Sequence, residues 1–176
     1  HPPTPDWAVT GTAETRKNLI TSIYLQPDEL EAHIRKLAEK YRQAEQREAR
    51  WENYRTEDAD LIFVGYGIVS RVLKAVVEAL RQRGIRAGLL RPITLYPFPT
   101  AEIARLASQA AVFFTVEMST GQMVEDVRLA VEGRRPVEFY GRCGGNVPSS
   151  EEIVSYVLQW IDGRAEQAVA EVMDHA

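Results

Sequence analysis

Two glycine-bearing turns and two arginines supply the residues of this 176-residue chain that could bind charge. Gly65-Tyr66-Gly67-Ile68-Val69-Ser70 carries the first two glycines of a dinucleotide fingerprint, which let backbone approach a pyrophosphate. Serine stands where the third glycine would allow close helix packing. Arg91 ends the next apolar run, where an acid would hold a ribose diol, so the chemistry open to it is recognition of a phosphorylated ribose. Gly121 and Gln122 start a helix directly after an apolar run, and unsatisfied N–H groups at a helix start attract anions. Glu117, Glu125 and Asp126 crowd that end with negative charge and oppose a phosphate there. Arg142 beside Cys143 could favour a thiolate, but no histidine lies nearby to form a nucleophile pair. Structural glycines are the simpler reading of Gly65 and Gly67, a corner packed against a partner subunit that of Gly121, and an inert thiol that of Cys143.

Other chemistries are excluded by what is present. The histidines are His1, His33 and His175, with no metal or triad spacing between them. One cysteine forms no internal disulfide and ligates no cluster, which fits a cytoplasmic protein. A net charge of −4, with arginines interleaved among acids, argues against a nucleic-acid partner. No apolar run approaches the roughly 20 residues of a membrane span. The chain opens His1-Pro2-Pro3-Thr4-Pro5, without methionine and without a signal-like apolar stretch, and reads as part of something longer.

The elements that must position these residues follow from periodicity. Four short, almost wholly apolar runs, Leu61 to Val64, Ala87 to Leu90, Val112 to Val116 and Val137 to Tyr140, read as strands buried on both faces. Helical patterns at Val69 to Arg83, Ala101 to Ala107, Met123 to Val131 and Glu151 to Ile161 alternate with them. The repetition predicts a three-layer α/β fold, a mainly parallel open sheet with helices on both faces, over residues 58–163. Its ligand side is the rim beyond the carboxyl ends of the strands, where Gly65, Gly67, Arg91, Gly121, Gln122 and Arg142 all fall. Gly84 and Gly133 suit helix ends, Thr100 an N-cap, and Ser149 with Glu152 a capping box.

Residues 1–57 read as a connector and helical arm, and residues 164–176 as a tail. The connector, to about residue 26, mixes proline, glycine and threonine with scattered apolar residues. From Pro27, Leu30, Ile34, Leu37, Tyr41, Ala44 and Trp51 form a narrow stripe, and a helix continuous to Tyr54 would be about 40 Å long. Packing in cis and packing on another subunit fit that stripe equally. The loop Arg91-Pro92-Ile93-Thr94-Leu95-Tyr96-Pro97-Phe98-Pro99 is stiffened by three prolines and suits docking, or folding back over its own sheet.

Three ordered motifs carry a family likeness: Leu89-Leu90-Arg91-Pro92-Ile93-Thr94-Leu95-Tyr96-Pro97-Phe98-Pro99, the corner Val116 to Arg128, and Val137-Glu138-Phe139-Tyr140-Gly141-Arg142. With Pro5-Asp6-Trp7-Ala8-Val9-Thr10-Gly11 ahead of them, the chain resembles the α subunit of 2-oxoacid:ferredoxin oxidoreductases in its transketolase C-terminal-like domain. The resemblance implies an enzyme that uses thiamine diphosphate with magnesium, iron–sulfur clusters and coenzyme A to convert a 2-oxoacid into an acyl-CoA with reduction of ferredoxin. It implies that this chain is a non-catalytic assembly domain within it, inactive alone. The family's Gly-Asp-Gly motif is absent here, which assigns those cofactors to other domains or subunits. The implied partners are thiamine-binding and ferredoxin-like subunits, a pyrimidine-binding domain preceding this segment, and a second copy in a homo-oligomer. Thr21-Ser22-Ile23-Tyr24-Leu25 looks most like the branched-chain, 2-oxoisovalerate enzymes. A free-standing binder of a phosphorylated nucleotide or coenzyme, and a dimerisation module of an unrelated complex, are the competing readings.

Overall fold

The computed structural model describes residues 3–174, with side chains as far as Arg164; His1 and His175 lie outside the described residues. The chain divides into two compact units between Gln43 and Ala44. In the first, the connector holds one 3-10 turn, Ala13–Asn18. The Asn18 amide ties it down by donating to the carbonyls of Asp6 and Ala8 at 2.8 and 3.0 Å. Helix α1, Pro27–Glu48, starts in this unit with Asp28 and Glu29 at its positive end and has no buried residue. Tyr24 stacks on His33 of α1, with 4.5 Å between ring centroids.

The second unit is built on a five-stranded sheet. Its strands are β1 (Trp51–Tyr54), β2 (Leu61–Val64), β3 (Ala87–Pro92), β4 (Val112–Glu117) and β5 (Val137–Gly141), in the order β1-β3-β2-β4-β5. All pairs are parallel except β1 with β3. The helices are α2 (Gly67–Arg81), α3 (Thr100–Leu106), α4 (Met123–Val131) and α5 (Ser150–Asp174). Alternation along β2 divides the core: Leu61 and Phe63 join Leu73, Val77 and Ile153 under α2 and α5, whereas Ile62 and Val64 join Ile103, Leu106 and Val127 under α3 and α4. Phe114 is met edge-on by Trp160 of α5 at 5.2 Å and by Tyr156 at 6.0 Å. Burying Phe114, 1% exposed, contributes about 1.5–3 kcal/mol of hydrophobic stabilisation.

Several helix ends follow their sequence signals. α2 closes in a Schellman turn, Gly84 N–H to Arg81 O and Ile85 N–H to Leu80 O, with Gly84 at φ +79. Ser149 and Glu152 exchange the two bonds of a capping box, at 2.8 and 3.1 Å. α4 leaves its last turn through Glu132 at φ +55 as well as Gly133 at φ +70.

Three expectations are corrected. The arm helix does not run to Tyr54; it stops at Glu48, because the Arg50 carbonyl takes the N–H groups of Ile93 and Thr94 and the Arg50 N–H donates to Thr94 Oγ. Residues 51–54 then pair with β3 as an antiparallel edge strand. The last helix does not end at Ile161 but continues through Gly163 to Asp174, since one internal glycine costs only about 1 kcal/mol in a helix. Thr100 caps nothing: it is the first residue of α3, behind Pro99.

Candidate functional site

Going from β2 to β3 and then across to β4 reverses the direction in which strands are added, so the switch point lies beyond the carboxyl ends of β2 and β4. The β4–α4 corner fills it. At Gly121 φ is +107, a backbone shape L side chains rarely adopt, and it turns the chain so that the start of α4 faces the end of its own strand. Glu117, 3% exposed, occupies that position. Its carboxylate accepts from the N–H of Val124 at 2.9 Å, of Met123 at 3.0 Å and of Gln122 at 3.3 Å, and from the Ser119 hydroxyl at 3.0 Å. Ser119 Oγ also accepts the Gly121 N–H at 3.1 Å. The positive end of α4 therefore already holds an anion, supplied by this chain.

Gly65 lies against the same corner. A Cβ there would stand 2.5 Å from Leu73 Cδ1 and 3.1 Å from Val69 Cγ1, so the missing side chain lets α2 pack on the sheet. Across the corner, a Cβ on Gly141 would meet the Ser119 carbonyl oxygen at 2.5 Å. Arg142 continues from Gly141, gives its N–H to the Glu117 carbonyl at 3.1 Å and its guanidinium to Glu152 at 2.8 Å. The Glu152 carboxyl is held below its usual range first by the Ser149 N–H and then by the Arg142 charge. Cys143 is exposed, and its carbonyl accepts from Asn146.

A second cluster lies where α2 meets the end of β3. The β1–β3 register sets Glu52 opposite Arg91. Glu52 bridges two cations, Lys74 Nζ at 2.6 Å and Arg91 Nη1 at 2.8 Å, and these bonds, Lys74's first, hold its carboxyl below the ordinary range. Lys74 also lies over the Tyr54 ring. Gly67, Ile68, Ser70, Arg71, Lys74 and Arg91 line a cavity of about 440 Å³. A larger cavity, about 870 Å³, opens between Trp51 and the proline loop, with Tyr96, Phe98 and the acids Glu45 and Asp126 on its walls.

The rim residues singled out in the sequence thus separate into two places. Gly67 and Arg91 meet in the basic cavity. Gly65, Gly121, Gln122 and Arg142 gather around Glu117 and are occupied by packing or internal hydrogen bonds. Sequence reasoning missed Glu52, Arg71 and Lys74. Arg71 and Lys74 follow Gly67 by four and seven residues, a helical spacing that puts all three on one face and was open to reading. Among the described residues, no group of three histidine, cysteine or acidic side chains converges as a metal site, and no helix is long and apolar enough to cross a membrane.

Residues 59–153 match the family model described as pyruvate:ferredoxin oxidoreductase core domain II. Ketoisovalerate oxidoreductase subunit VorB of Methanothermobacter marburgensis is 50% identical over 159 residues, covering 90% of this chain and 45% of that subunit. The chain therefore spans less than half the length of that relative. The 2-oxoglutarate:ferredoxin oxidoreductase from Magnetococcus marinus, solved with 2-oxoglutarate, coenzyme A and succinyl-CoA bound, superposes with a TM-score of 0.68 at 22% identity, over 77% of this chain and 24% of that one. A split-gene transketolase, as an inactive β4 tetramer, superposes with a TM-score of 0.54 at 19% identity, over 62% of this chain and 40% of that one. At those identities the two solved structures speak for the fold alone, which is transketolase C-terminal-like.

Proposed function

The chain belongs to the pyruvate:ferredoxin oxidoreductase core domain II family, found in α subunits of 2-oxoacid:ferredoxin oxidoreductases, and from that premise we propose that it is the assembly module of such an enzyme. In this reading the whole cytoplasmic enzyme decarboxylates a 2-oxoacid oxidatively to an acyl-CoA and reduces ferredoxin. The ketoisovalerate relative favours a branched-chain substrate, 2-oxoisovalerate. Thiamine diphosphate, magnesium, iron–sulfur clusters and coenzyme A are assigned to other domains or subunits. The residues here do not fit the metal-bound groups: one exposed cysteine cannot ligate a cluster, and the described carboxylates form no metal-binding trio. The rim acids support a structural role, because Glu117, Glu52 and Glu152 are each held by partners within the chain.

The observation that carries the reading is apolar surface left uncovered in the connector. Trp7, Ile20, Ile23 and Leu25 are 74%, 94%, 70% and 86% exposed. Exposed large apolar side chains at these positions of the connector offer contacts to a protein partner. The test mixes the purified chain with a purified thiamine-binding subunit and measures association by light scattering and calorimetry. A complex with Kd near micromolar or tighter is expected, weakened about tenfold by Ile20→Asp or Ile23→Asp. No association at about 10 μM, or decarboxylation of 2-oxoisovalerate by the chain unaided, would overturn the proposal.

A further inference from the structure

We propose that the cavity between the start of α2 and the end of β3 binds the phosphate group of a phosphate ester. Its volume of about 440 Å³ lies within the range of small-ligand sites, about 300–1,000 Å³. Three cations, Arg71, Lys74 and Arg91, line it, and Glu52 is the carboxylate paired with Lys74 and Arg91. The local balance is therefore positive in a chain whose net charge is −4. Glu52 does not simply cancel Lys74 and Arg91: by bonding to both at 2.6 and 2.8 Å it fixes two long side chains beside the opening, lowering the entropy cost of ordering them on a ligand.

Two features leave binding capacity over. Arg71 makes no hydrogen bond or ion pair among the described residues, and its charge is uncompensated. Arg91 gives Nη1 to Glu52, while its Nε is buried without an acceptor, so the guanidinium retains donors for an oxyanion. The backbone adds to these side chains. α2 begins at Gly67 with no side-chain cap on Tyr66 and no acid in its first turn, whereas Glu117 occupies the corresponding end of α4. Ile68, 52% exposed, gives the cavity an apolar wall that a bare ion does not use and the body of an ester does. The site makes no use of the assembly role proposed above and stands or falls separately.

The test is a two-dimensional amide NMR titration of the whole chain at constant ionic strength, with inorganic phosphate, ribose 5-phosphate and sodium chloride as separate arms. The expected result is saturable shifts confined to Gly67, Ile68, Ser70 and Arg71, with ribose 5-phosphate saturating at lower concentration than inorganic phosphate. Arg71→Gln should weaken binding about tenfold, by loss of a charge-assisted contact, and leave the remaining spectrum unchanged. No saturable shift by about 20 mM ester, shifts reproduced by chloride, or equal binding by Arg71→Gln would overturn the site. Inorganic phosphate binding as tightly as the ester would overturn the ester assignment.

Discussion

Replacing Glu117 with alanine removes the acceptor for three backbone N–H groups and the Ser119 hydroxyl in one step. The Met123 and Val124 bonds are buried, so their donors lose a partner where water replaces it poorly. At about 1–3 kcal/mol per stranded donor, these two alone set the cost near 4 kcal/mol, several times that of losing an ordinary N-cap. Glu117→Gln keeps one acceptor oxygen but loses the charge and turns an NH₂ group towards donors, for about 2 kcal/mol. Urea unfolding reads both: the midpoint should fall in the order wild type, Gln, Ala, with the slope unchanged. For a chain of this size the alanine variant should melt about 8–16 °C lower. Formate, a carboxylate small enough to enter the vacated position, should restore part of that loss beyond what chloride does at equal ionic strength. An alanine variant within about 1 kcal/mol of wild type, or a glutamine variant as unstable as the alanine one, would refute the assignment of Glu117 as the internal anion of α4.

Close backbone approaches give a second measurement. Gly88→Ala would set a Cβ 2.6 Å from the Arg55 carbonyl oxygen and 3.0 Å from Thr56 Cα, so backbone must move and the cost in urea unfolding should exceed about 2 kcal/mol. Gly65→Ala meets the end of the Leu73 side chain instead and should cost less, about 1–2 kcal/mol. Ser149→Ala, which breaks the capping box of α5, should cost about 1 kcal/mol. Glu102 is 8% exposed, and its carboxyl is held below the usual value first by Arg105 and also by Asn53. Its contribution to stability should therefore be complete above the unfolded value of about 4.3 and disappear as pH falls through the lower folded value. Glu102→Gln should flatten that acid limb; an unchanged slope of stability against pH below 4.3 would discount the group.

β5, expected to be buried on both faces, is instead an edge of the sheet with no buried residue; β2 was legible because burial on both faces leaves nothing polar in it: Leu61, Ile62, Phe63 and Val64 are all at most 3% exposed. β1 was not, for the converse reason. Trp51-Glu52-Asn53-Tyr54 meets its helices through polar tips: Glu52 to Lys74, Tyr54 to Glu78 and Asn53 to Glu102. Its hydrophobic signal merged with the stripe of α1, which set a strand at the edge of the sheet into the phase of a helix. What ends α1 is a tertiary bond pair between Arg50 and the 93–94 backbone, and local propensity contains no trace of a partner some forty residues away.

The candidate sites divide along the same line. A glycine at the start of a helix is visible in sequence, but whether its amides are vacant depends on which side chain the turn brings back to them. At Gly121 the positive φ returns Glu117, so the acid that reads as repelling a ligand is itself the bound anion. At Gly67 no acid returns, and the carboxylate nearby, Glu52, arrives from an edge strand and spends its charge on arranging Lys74 and Arg91. Two helix starts with similar glycines thus acquire opposite electrostatics from single carboxylates. That difference, more than any glycine spacing, assigns packing to one corner of the rim and ligand binding to the other.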